Sequence, residues 1–105
     1  MSVDYTSALI YGFNCSDRMD KFTEEIKDEL YDIGFNFIED FYSGNFLYFG
    51  IVVSSCDCYD EARVDCLAEV EQAYEDLQVL LDETPEEIRN LFPYQPSMYH
   101  LCYAT

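Results

Sequence analysis

The stretch FNFIEDFYSGNFLYFGIVVS, residues 35–54, decides the fold. Phe35, Phe37 and Phe41 fall on one face, and Asn36, Ile38, Asp40 and Tyr42 on the other. That is the alternation of a strand, whose successive side chains leave opposite sides of the sheet. Ser43-Gly44-Asn45 supplies the positive-φ residues of a tight turn. From Phe46 to Ser54 the alternation resumes, with Leu47, Phe49, Ile51 and Val53 on one side. Two antiparallel neighbours joined by a hairpin are expected.

Upstream of this hairpin, Met19, Phe22, Ile26, Leu30 and Ile33 recur at three- and four-residue spacing. They predict one amphipathic helix, capped by Asn14 or Ser16 and stopped by Gly34. Tyr5 to Phe13 is apolar and β-prone, a first strand. Downstream, Leu67, Val70, Tyr74, Leu77 and Leu81, flanked by Cys66, Ala73 and Leu80, mark a second helix over about residues 60–82. Thr84-Pro85-Glu86-Glu87 reads as a cap with Pro at the first helical position, opening a short helix to about Leu91 that Pro93 and Pro96 end. Met98 to Tyr103 returns to strand character. The order β-α-β-β-α-β predicts an α+β, ferredoxin-like sandwich: a four-stranded antiparallel sheet, its first and third strands central, with both helices on one face. The other face is then open. Tyr5, Tyr11, Tyr48, Tyr99 and Tyr103 make it a candidate homodimer or partner surface, unless the residues after the second helix fold over it.

The 105 residues suit a single compact domain, residues 1–105. Half of them are hydrophobic and 17% aromatic, enough apolar surface to offset backbone ordering. The first residues have neither the basic nor the long apolar region of a secretory signal, and no apolar run approaches the ~20 residues of a membrane helix. A cytoplasmic protein is expected, in the host cytoplasm if phage-encoded. An odd number of cysteines, five, then favours reduced thiols acting mostly as small apolar side chains.

Twenty-two acids against five bases give a net charge of −17, which weighs against direct binding to nucleic acid or an anionic membrane. The excess is concentrated. Residues 57–89 carry 12 acids and 2 bases, whereas residues 17–32 carry 7 acids and 3 bases. The acids of the richer segment are Asp57, Asp60, Glu61, Asp65, Glu69, Glu71, Glu75, Asp76, Asp82, Glu83, Glu86 and Glu87. Glu61, Asp65 and Glu69 follow at i,i+4, as do Glu71 and Glu75. Each such like-charge pair costs an isolated helix roughly 0.2–0.5 kcal/mol, which Lys at alternate positions would have avoided. A line of carboxylates about 6 Å apart matches a surface built to receive phosphates. This points to a nucleic-acid mimic whose partner is a basic nucleic-acid-binding protein or complex; the bland alternative is a solvating face. In size and charge the chain resembles the small acidic proteins with which phages and mobile elements block restriction, CRISPR and other nucleic-acid-binding machinery. The second reading is a homodimeric ferredoxin-like structural or regulatory module associating through its tyrosine-rich sheet face.

Chemistry is read mostly by exclusion. Cys56-x-Cys58 and His100-x-Cys102 hold the donors of a zinc site, but the spacing is tight and the topology puts His100 and Cys102 toward the far end of the last strand, across a central strand, so no metal is expected. His100, the single histidine, is read as a satisfied sheet residue rather than a base, and no thiol is shown to meet it. Phosphate loops and the EF-hand spacing are missing, so no cofactor and no enzymatic activity are expected.

Overall fold

A computed structural model describes residues 5–39, 46–57, 66–93 and 95–104. The elements are β1 (Tyr5–Asn14), a 3₁₀ segment (Ser16–Lys21), α1 (Glu24–Ile33), β2 (Asn36–Glu39), β3 (Leu47–Asp57), α2 (Cys66–Glu83), α3 (Glu86–Arg89) and β4 (Ser97–Ala104). The strands form one antiparallel sheet in the order β2-β3-β1-β4, with β1 and β3 central. This is the ferredoxin-like arrangement. The expected Ser43-Gly44-Asn45 turn, the strand positions Asp40, Phe41 and Tyr42, and the expected first turns of the second helix at residues 60–65 lie outside the described residues.

One face of the sheet holds the larger core. Phe13, Leu47 and Phe49 of the sheet pack with Phe35, with Leu30 of α1 and with Leu77 of α2, and Ile26, Ile33, Leu80 and Leu81 close around them. Five phenylalanine rings meet here; Phe13 stacks on Phe92 at 4.6 Å and Phe22 lies 5.1 Å from Phe49. Ile88 of α3 and Phe92 belong to this core. The segment after the second helix therefore folds on the helical side, not over the open sheet face as one of the two expectations had it. Phe92 supplies a fifth ring to a space that α1 and α2 leave unfilled.

Three local expectations are corrected. The predicted first helix is a 3₁₀ segment, itself kinked at Arg18 (φ −138°, ψ 31°), and a separate α1, because Phe22 leaves helical geometry (φ −96°, ψ 83°) and Thr23, at φ −66°, ψ 165°, starts α1 afresh. Its hydroxyl accepts a hydrogen bond from the Ile26 N–H at 3.3 Å, the usual work of an N-cap. Thr84 does not cap α3: its Oγ1 donates to the Leu80 carbonyl at 2.6 Å, closing the end of α2, while Pro85 occupies the N-cap position of α3. The unbroken alternation expected from Phe46 to Ser54 is interrupted, because the β1–β3 register moves from Leu9↔Ser54 to Ile10↔Val52 and leaves Val53, which lines a recess with Ile51 and α2, as the extra residue of a bulge. Gly34 behaves as predicted: at φ 128° it ends α1 and donates to the carbonyls of Leu30 and Tyr31.

Gly12 of β1 lies opposite Gly50 of β3, and a Cβ on Gly12 would overlap the Phe49 carbonyl oxygen. The register also places Gly12 between Asn14, the partner of Tyr48, and Ile10, the partner of Tyr99. Tyr48 and Tyr99, on the two strands flanking β1, bring their ring centroids to 4.9 Å.

Candidate functional site

The helical layer carries the acids. On α2, Ala73 and Leu77 are buried and Leu80 and Leu81 pack against the core, which fixes the inward direction of the helix. At 3.6 residues per turn the other positions divide into two rows. Glu69, Asp76 and Glu83 recur every seven residues along one flank; Glu71, Glu75 and Asp82 run along the outermost side, about 120° further round and about 10 Å away. All six are exposed, and α2 contains no basic residue. Exposed Gln72 and Val79 lie between the rows. The glutamines accompany the acids instead of cations: Gln72 donates to Asp76 at 2.9 Å and Gln78 to Asp82 at 3.0 Å. Glu86 and Glu87 continue the exposed acids on α3.

Charge on the α1 side is partly neutralised. Lys27 bridges Glu24 at 3.4 Å and Glu39 of β2 at 3.1 Å, and Arg18 meets Asp17 at 3.3 Å while donating to the Leu91 carbonyl. Burial of Lys27 works to lower its pKa, but the hydrogen bonds and charges of Glu39 and Glu24 outweigh it and leave the pKa raised. The concentration expected along residues 57–89 is thus seen on α2 and α3 for Glu69, Glu71, Glu75, Asp76, Asp82, Glu83, Glu86 and Glu87. Asp57 ends β3 opposite Thr6, and Asp60, Glu61 and Asp65 lie outside the described residues. Sequence reasoning found the i,i+4 pair Glu71–Glu75 but missed the seven-residue row, whose 69–76–83 spacing was visible as a signal.

The opposite face of the sheet has its own apolar cluster. Ala8, Ile10 and Ile38 are buried there, with Phe46, Tyr48, Val52, Tyr99, Leu101 and Tyr103 packed about them. Only three of the five tyrosines expected on this face are on it. Tyr11 points to the helices, its ring 4.4 Å from that of Tyr74, and alternation along β1 puts Tyr5 on that same side. Burial raises the pKa of Tyr48, with Tyr99 adding to it, and burial raises that of Tyr103.

Cys56 and Cys102 are both opposite Ser7, one on each side of β1, so they stand at the same end of the sheet rather than at opposite ends. His100 Nε2 and Ser7 Oγ share a hydrogen bond at 2.8 Å, and His100 is satisfied within the sheet. No group of three or more His, Cys, Asp or Glu side chains is placed to hold a metal ion among the described residues. A recess of about 330 Å³ beside Phe13, Leu81 and Phe92 is lined by Arg89, and one of about 210 Å³ between α2 and β3 by Glu69 and Asp76. Among the described residues no helix is long and apolar enough to cross a membrane. Comparison with protein-family models, with curated proteins and with solved structures finds no match to this chain.

Proposed function

We propose that this protein is a non-enzymatic polyanion that occupies the nucleic-acid-binding groove of a basic protein or complex and so inhibits it. The observation that carries the reading is α2: six exposed carboxylates in two rows on a helix without a single base. Rows about 10 Å apart fall within the range of B-DNA groove widths, roughly 6 to 12 Å between backbones. A groove lined with Arg and Lys gains affinity from phosphates by releasing their counterions, and a fixed array of carboxylates offers it a similar exchange. Anchoring by Leu77, Leu80 and Leu81 holds the array in one geometry, which limits the ordering cost of binding. In size and charge the protein resembles the inhibitors that phages and mobile elements direct at restriction or CRISPR complexes.

The test is capture from cell lysate with tagged protein, eluted in parallel by duplex DNA and by rising salt, beside a variant with Glu71, Glu75 and Asp82 changed to Gln. The wild type is expected to retain nucleic-acid-binding proteins that DNA releases, and the variant to bind the purified partner at least tenfold more weakly with a shallower salt dependence. Retention that the three substitutions do not alter, or a complex that DNA does not displace, would overturn the reading.

A further inference from the structure

The two edges of the sheet are built differently. Among the described residues β2 runs over four, Asn36–Glu39, and carries Glu39, which Lys27 holds. Short edges bearing charge resist pairing with another chain. β4 runs eight residues, Ser97–Ala104, with no charged residue, no proline and an unbroken register against β1. It is the outer strand on its side, so the backbone groups that point away from β1 meet no further strand among the described residues. Its side chains toward the helical side, Met98, His100 and Cys102, are exposed. Among the described residues none of the usual devices that blunt an edge is present on this strand.

Charge says what fits there. The chain carries −17, and the acids whose side chains are described lie on the helical layer or on β2. Two such chains repel, and least where neither presents a carboxylate. An uncharged edge offers no charge pattern to select a basic or acidic strand, but it can pair with its own copy about a twofold axis.

We propose that two copies of this protein associate β4 to β4, antiparallel, into a continuous eight-stranded sheet. Opposed residues must share a face. The register that sets Leu101 against Leu101 of the second copy also sets Tyr99 against Tyr103 on the face that carries Tyr48 and His100 against Cys102 on the other, giving aromatic cross-strand pairs of the stabilising kind. The axis is perpendicular to the sheet, so both helical layers emerge on the same side. This pairing stands independently of the polyanion reading.

Sedimentation equilibrium under reducing conditions, at 10 and 300 mM NaCl, tests it. The expected particle has twice the 12.3 kDa chain mass. Its dissociation constant should fall several-fold at the higher salt because repulsion between the copies is screened, whereas a complex with a basic partner weakens in salt. Cys102→Lys, an inward charge on the edge, should give monomers with an unchanged circular dichroism spectrum; Met98→Lys serves if that variant does not fold. Hydrogen exchange should show β4 amides more protected at high protein concentration than at low. A monomer at every concentration would overturn the proposal. So would a dimer that survives both substitutions with β4 exchange independent of concentration, which would place the contact elsewhere, such as the face of Tyr48.

Discussion

Cys15 shows how far burial alone can remove a side chain from chemistry. It is fully buried, and desolvation pushes its thiol up to about 12, with Arg18 pulling the value down and Asp17 pushing it up by lesser amounts. Burial likewise raises the phenols of Tyr11, Tyr48 and Tyr103. Each of these groups is neutral when protonated, so a folded pKa above the unfolded one contributes stability that is complete below the unfolded value and is lost as pH climbs through the folded one. The urea midpoint should therefore hold up to about pH 9 and fall between about 9 and 12; in Cys15→Ala the early part of that fall should be absent. Denaturation at stepped pH measures this, and a midpoint level to pH 11 in the wild type would contradict a buried thiol. The apolar packing role expected of most cysteines is seen at Cys15, whereas Cys56 is half-buried and Cys102 exposed. The placement of Tyr5 and Tyr11 was not legible in the sequence, because β1 is apolar on both faces and only the position of its neighbours decides which parity meets the helices.

At the scale of elements, the break at Thr23 separates what periodicity can and cannot reveal. Met19, Phe22 and Ile26 keep three- and four-residue spacing across it, and a 3₁₀ turn repeats every three residues, so the stripe reads through unbroken. The signal that marks the boundary is local: Thr23 followed by Glu24 and Glu25, a cap with acids in the first turn. Thr23→Ala should cost about 1 kcal/mol, read as a lower urea midpoint with unchanged slope, and Thr23→Gly only a few tenths. Equal losses for the two would show that the hydroxyl bond to Ile26 contributes little. The strand order was legible because connection rules leave few arrangements of these elements, whereas the bulge at Val53 was not, since it depends on pairing with Leu9 and Ile10 far away in sequence.

For the whole molecule the governing quantity is charge. The sum was plain in the sequence, but its division between an acid-rich helical layer and a sheet face whose described cluster is apolar and aromatic required the fold, since the strands and helices interleave along the chain. Self-repulsion at −17 destabilises the compact state and is screened by salt. Raising NaCl from 10 to 300 mM should stabilise the protein by about 1 kcal/mol, a rise in Tm of about 4–8 °C, checked by calorimetry at low protein concentration; a Tm that falls would mean that attractive ion pairs outweigh repulsion.

β1 owes its central position to strands made much later: Phe13 pairs with Phe49, and Tyr5 lies beside Ala104. On the ribosome it is therefore an unprotected strand with two free edges, the first capped only when β3 emerges and the second only when β4 does. In that interval the carboxylates of α1 and then α2 are already attached to the growing chain. Neighbouring nascent chains on one message thus meet as like-charged polyelectrolytes, and the acidity that shapes the finished surface also keeps their waiting strands apart.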